Sequence, residues 1–168
     1  MLKNFLNKMD EMGSFFMGPV LSDEKFEKLV DDLNTLNIDL PDEYSELLFI
    51  CDGLYWGGME FFASSIHADK KRGFAITDLV SQNRLFQALN PDKGNCCFIG
   101  KTDDENYIFN PKTKKYEIIE EFEGTLIKSF DNFESLFEYV VDEQIELVQN
   151  FVAFDEANIK DEASDKDF

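Results

Sequence analysis

The groups in this chain best suited to chemistry are one histidine, three cysteines and a large excess of acids. His67 could act as the base for a thiol nucleophile at Cys51, Cys96 or Cys97. That arrangement needs hydrogen-bond reach between the two groups and a third group to orient the imidazole. His67 lies in the polar stretch 64–74, beside Asp69-Lys70-Lys71-Arg72-Gly73, and is expected to be a satisfied surface imidazole on an exposed loop. Structural zinc wants four nitrogen or sulfur ligands at spacings such as Cys-x-x-Cys. The whole chain offers three cysteines and one histidine, and Cys96 and Cys97 are adjacent. Neighbours on a strand point to opposite faces, so those two would pair only with strain, and all three thiols are expected to be reduced.

The acids are no more specific. Asp103-Asp104-Glu105 lacks the alternating oxygen ligands and central glycine of a calcium loop, and reads as an acidic hairpin turn. With 35 Asp and Glu, almost any fold brings some carboxylate pair to a suitable separation, so no pair can be singled out for glycoside chemistry. Neither Gly-x-x-x-x-Gly-Lys-Ser/Thr nor Gly-x-Gly-x-x-Gly occurs, and Gly57-Gly58 reads as a turn. The expectation is a protein with no catalytic residue, no metal and no cofactor.

Charge narrows the partners. The formal net charge is −19, which repels nucleic acid and anionic lipid over roughly a Debye length of 8 Å and favours basic partners. An acid excess also simply keeps a protein in solution. The clusters Lys70-Lys71-Arg72 and Lys112 to Lys115 are too small to reverse the global charge and bind DNA. Tyr107 and Phe109 alternate with polar residues as core aromatics do, which is a plainer reading than base stacking. Tyr55-Trp56 is open to two readings. Such residues are enriched at interface hot spots, and a tryptophan beside a glycine turn can equally seal one end of a core.

These groups must be positioned by one domain. At 168 residues the chain can bury roughly 70% of its unfolded surface without disulfides or metal. Leu2, Phe5, Leu6, Met9 and Met12 have helical spacing and predict an opening helix that ends at Gly13. Ser22 or Asp23 caps a second helix through about Leu33. Pro41-Asp42-Glu43 starts a third, which turns Tyr44, Leu47, Leu48 and Cys51 inward and stops at Asp52-Gly53. A glycine turn at Gly57-Gly58 feeds an apolar strand. A helix follows from about Asp78 to Leu89, with Leu79, Leu85, Phe86 and Leu89 apolar, and then a turn at Asn90 to Gly94.

From there the period changes to two. Residues 96–100, 106–110, 115–121 and 125–129 predict four strands joined by connections short enough for an antiparallel meander. A last helix is expected from Asp131, capped in register with Glu134 and fraying near Gln149, with Phe133, Leu136, Phe137, Val140 and Val141 on one face. Residues 1–153 form a single domain in this reading, and 154–168 an acidic tail that is either disordered or a loosely docked turn of helix. The fold class is α+β. No apolar run is long enough for a membrane span, and the first residues lack the apolar block of a secretory signal, so a cytoplasmic protein is expected.

Three stretches together resemble the SUKH superfamily (SMI/KNR-like domains), which includes fungal cell-wall-assembly regulators and many bacterial proteins. The first is Leu40-Pro41-Asp42-Glu43-Tyr44 running through Leu47-Leu48 to Asp52-Gly53. The second is Tyr55-Trp56-Gly57-Gly58 with the strand behind it. The third is the order Phe98-Ile99-Gly100, acidic turn, Tyr107-Ile108-Phe109-Asn110, polar hairpin, Tyr116-Glu117-Ile118, then Ser129-Phe130 before Phe133-Glu134-Ser135-Leu136. The match spans about residues 22–142 and is closest to the small YrhA-like bacterial branch.

The resemblance implies a single mixed, largely antiparallel sheet with helices packed on it, and brings no catalytic residues. It implies an immunity protein that neutralises a cognate toxin by stoichiometric binding. The partner would be a basic toxin domain, most simply a nuclease. Glu60, Asp103, Asp104 and Glu105 are the candidate charges for that contact, and Tyr55 and Trp56 the candidate anchors. A regulatory or scaffold module, as the cell-wall regulators suggest, is the alternative, and a thiol hydrolase the second alternative.

Overall fold

The computed structural model describes residues 2–11, 13 and 15–164, with the backbone alone for Leu2, Phe5, Lys8 and residues 155–164. Met12 of the predicted opening stripe and the last four residues of the predicted tail lie outside the described residues. The elements run α1 (Leu2–Glu11), β1 (Phe16–Met17), α2 (Asp23–Asn34), α3 (Asp42–Ile50), β2 (Leu54–Trp56) and β3 (Met59–Phe61). Next come β4 (His67–Asp69), β5 (Phe74–Ile76), α4 (Leu79–Leu89) and a 3-10 turn at Pro91–Lys93. Last are β6 (Cys97–Lys101), β7 (Glu105–Asn110), β8 (Lys115–Glu120), β9 (Leu126–Phe130) and α5 (Phe133–Ser164).

The protein is α+β, as expected. Seven strands form one sheet in the order β1-β2-β3-β6-β7-β8-β9, each pair antiparallel. It is a meander interrupted between β1 and β2, where the chain builds α2 and α3, and again between β3 and β6, where it leaves to build the β4–β5 hairpin and α4. Phe61 and Phe62 show how the two faces are covered. Phe61 packs against Tyr44 of α3 and against Phe133 and Phe137 of α5. Its neighbour Phe62 meets Phe98, which in turn stacks on Phe86 of α4. Adjacent residues on a strand face opposite ways, so α5 and α4 lie on opposite faces of the sheet.

Local chemistry explains most boundaries. Ser22 accepts from Lys25 N at the start of α2, and Asp78 accepts from Ser81 N at the start of α4. Gly57 and Gly58 both take positive φ, 57° and 90°, which the two-residue β2–β3 turn requires. The long aromatic share is spent in the core, where Tyr44, Phe61, Tyr107, Phe133 and Phe137 are all buried.

Several expectations are corrected. Residues 64–74 are not a loop throughout, since β4 and β5 pair as a second, two-stranded sheet. Leu85 and Leu89 of α4 face solvent, because only Leu79, Asn83 and Phe86 of that helix are buried. Pro41 is the N-cap of α3 and not its first helical residue. The C-cap is Cys51, in extended conformation, so Gly53 does not terminate the helix. Gly53 has φ 84°, and a Cβ there would sit 2.8 Å from Ala63 Cβ, so its role is close packing. Asn132, not Asp131, caps α5 by accepting from Ser135 N, while Asp131 pairs with Lys115. The helix does not fray near Gln149 but continues to Ser164.

Two buried polar side chains hold the second interruption together. β3 makes its last bond to β6 at Phe62 N to Ile99 O. Beyond it, Phe98 N donates to Asn83 Oδ1 at 2.7 Å, and Asn83 Nδ2 donates to Phe98 O at 2.8 Å. The side-chain amide stands in for a strand partner. Tyr44 Oη lies 2.6 Å from Phe62 O and 3.1 Å from Ile99 O, fixing the same junction from α3. Replacing Asn83 by leucine keeps the volume but leaves the Phe98 amide and carbonyl buried without their partner. We expect Asn83→Leu to cost about 1–3 kcal/mol, read from the urea midpoint at unchanged slope.

Candidate partner-binding surface

The Asp103-Asp104 turn joins β6 to β7 and is closed by Thr102 N donating to Glu105 O. Glu121 N donates to Asp104 O, which ties the turn to the end of β8. Asp103 and Asp104 project into solvent, and Glu105 is half-buried at the first position of β7, directly opposite Glu120. Burial raises the Glu105 carboxyl above the usual glutamate range, and the charges of Glu143 on α5 and Asp104 raise it further. Tyr139, one turn before Glu143, belongs to the same patch. Its hydroxyl is raised by burial first and then by Glu143 and Glu105, and Lys128 Nζ sits 3.9 Å from its ring centroid.

Register brings the second candidate group to the same end of the sheet. Glu60 pairs with Lys101, so the Gly57-Gly58 turn and the Asp103-Asp104 turn leave the sheet on one side. The first of these turns meets α5, where a Cβ on Gly57 would lie 3.5 Å from Gln144 Oε1, next to the Glu143 whose charge acts on Glu105. The sequence alone gave no sign that Glu143, Tyr139 and Lys128 belong here, because none lies near residue 104 in the chain.

The structure divides the nominated residues. Asp103, Asp104 and Glu105 are accessible. Tyr55 is half-buried, its ring 4.9 Å from that of Phe74. Trp56 is 1% exposed and its Nε1 donates to Gly13 O at 3.0 Å, so it seals the core and offers no surface anchor. Glu60 is 7% exposed, and its Oε1 accepts from both Thr77 N and Thr77 Oγ1 at 2.6 Å. It fastens the chain after β5 to the main sheet and is not a contact charge.

His67 is also not where it was expected. It is largely buried, with Nε2 2.7 Å from Asp52 Oδ2. Asp52 also accepts from Ser64 N and Ser64 Oγ, each at 2.6 Å. A serine, a histidine and an aspartate thus meet, but both side chains converge on one carboxylate. Ser64 gives its proton to Asp52 and not to the imidazole, so the serine is not activated by a base. The trio ties the α3–β2 connection to β4. The thiols are equally unsuited to attack. Burial, with the Asp52 charge adding to it, pushes Cys51 up to about 12. Burial likewise raises Cys96 and Cys97, whereas a nucleophilic cysteine needs a lowered value.

Within the basic cluster Lys70 and Lys71 are exposed, but Arg72 is tied down. Arg72 Nε donates to Asp69 Oδ2 at 2.7 Å, its Nη1 donates to Phe15 O, and its guanidinium lies 5.5 Å from the Phe74 ring. A cleft of about 490 Å³ between α1, α3 and the start of α5 is lined by Glu43, Glu46 and Glu134 with Lys3 at its edge. Among the described residues, no group of three or more His, Cys, Asp or Glu is placed to hold a metal ion, and no helix is long and apolar enough to cross a membrane.

Comparison with protein-family models gives no match, and no curated protein matches the chain.

Burial at Glu105, with the like charges beside it, makes a pH-dependent prediction. A carboxyl raised on folding holds more protons folded than unfolded, so stability falls as pH rises from the ordinary glutamate range through the folded value. Glu105→Gln should therefore raise the melting temperature at pH 7. The gain should shrink as the pH drops into the glutamate range, in thermal melts of both proteins across pH 4–8.

Proposed function

We propose that this protein is a non-catalytic binding domain, an immunity-type inhibitor that neutralises a basic toxin domain by stoichiometric association. The observation that carries the reading is the gathering of Asp103, Asp104, Glu105 and Glu143 at one end of the sheet, on a chain of net charge −19. Like charges gathered at a surface cost stability, and the arrangement is repaid when a cationic partner arrives. A nuclease is the simplest target, because its own cleft must attract phosphate. The resemblance of residues 22–142 to SUKH domains supports the same reading, and the observed antiparallel sheet with helices packed on it is of the kind that resemblance implies.

Of the candidate contacts, Asp103, Asp104, Glu105 and Tyr55 remain, while Trp56 and Glu60 act from inside. A cytoplasmic location goes with this reading, since an immunity protein protects the cell that makes the toxin.

The test is co-expression with the product of the adjacent gene and co-purification at physiological salt. A tight one-to-one complex with a toxic, basic neighbour is the expected outcome. No complex, with a neighbour that is harmless when expressed alone, moves the reading to a regulatory module with an endogenous partner. Charge reversal in the Asp103→Lys, Asp104→Lys variant should slow association about tenfold at low salt and change dissociation little, because rim charges act mainly on encounter. Stopped-flow association of the variant at the wild-type rate would remove the acidic turn from the contact.

A further inference from the structure

The core-facing stripe of α5 does not stop where the domain stops. Phe133, Leu136, Phe137, Val140, Val141 and Ile145 are buried against the sheet and α1. The same face continues past Gln144, at helical spacing, through Leu147, Phe151 and Phe154. These three are 49, 71 and 66% exposed, and with Asn150 they line a shallow apolar depression. A row of large apolar side chains at i, i+4 and i+7 is the form that helix-in-groove anchors take.

The charges that α5 itself carries alongside the stripe are of one sign. From Ser129 to Ile159 the chain has no lysine or arginine. Glu143 and Glu146 are exposed on the turns that lead into the stripe, and the Glu143 charge acts on Glu105, the residue that follows the Asp103-Asp104 turn. A second copy of this chain is a poor occupant, because pairing two such helices would set acids against acids with no cation from this stretch to separate them.

We propose that the exposed stripe of α5 is a docking surface for a basic amphipathic helix of a partner protein. Its apolar side chains would cover Leu147, Phe151 and Phe154, and its lysines or arginines would face Glu143, Glu146 and the acidic turn. The inference deepens the protein-binding reading above and rests on it for the existence of a partner.

The test uses the full chain and two fluorescent helical peptides of equal length, one with leucines and lysines, the other with the same leucines and glutamates. The lysine peptide binds and is weakened by salt, and the glutamate peptide does not bind. The L147S/F151S/F154S variant, of unchanged melting temperature, loses affinity about tenfold or more. F151S alone, which alters one exposed ring, carries the test with a smaller loss should the triple variant lose helicity. No binding of the lysine peptide to the wild type overturns the proposal, and so does equal binding to wild type and variants. A wild-type dimer in sedimentation velocity that the variants abolish also overturns it, by assigning the stripe to a second copy. No toxin is present in this titration, so its failure leaves the co-purification result standing, and the converse holds.

Discussion

Asn83 replaces the strand partner that β6 loses when β3 turns out of the sheet, and Tyr44 donates to the Phe62 carbonyl of the departing chain. An interrupted meander leaves backbone donors and acceptors in the interior at the point of departure, and such groups are costly unless paired. The Asn83 amide presents one donor and one acceptor to Phe98 in the same geometry a strand would. Tyr44 Oη covers the carbonyls of Phe62 and Ile99 from the other side. With that junction satisfied, the chain between β3 and β6 is free to form the β4–β5 hairpin and α4. The helices that supply the two side chains are thereby placed on the sheet.

The same junction accounts for the polar groups that resembled a catalytic site. Asp52 binds Ser64 and His67, and Glu60 binds Thr77, on either side of the departing hairpin. These carboxylates are internal because the excursion needs fixing at both its ends. Burying an acid is tolerable when hydrogen bonds satisfy it, and here each has at least two donors. What is left for the surface is a different set of acids, gathered where two turns and α5 meet. Function in this reading belongs to that set, and the interior set serves architecture.

A long helix that starts in the core and ends beyond it links the two. α5 is anchored by Phe133 and Phe137 in the aromatic cluster and by Glu43 accepting from Phe133 N at its start. Its rigidity carries Glu143 to the acidic turn and Leu147, Phe151 and Phe154 past it. A rigid element that presents an apolar row and one sign of charge loses little conformational entropy when a partner covers it.

Much of the fold was legible in residue order. A cap for α2 at Ser22 or its neighbour, the start of α4 near Asp78, the glycine turn at 57–58, the four-strand meander from β6 to β9 and the inward face of α3 all follow from local preferences and periodicity, which act within a few residues. The composition settled the acid excess, and the missing motifs argued against nucleotide cradles and zinc. Only the tertiary structure decided which polar residues are inside. Glu60, Asp52 and His67 look like surface residues in the sequence, because nothing local signals the Thr77 and Ser64 donors that allow their burial. Trp56 was open between core and contact until its indole met Gly13. The length of α5 was misjudged because an acidic segment with scattered apolar residues reads as a tail. Its core-facing periodicity persists to Phe154, and whether that face is covered depends on where the domain ends in space, which no spacing along the chain encodes.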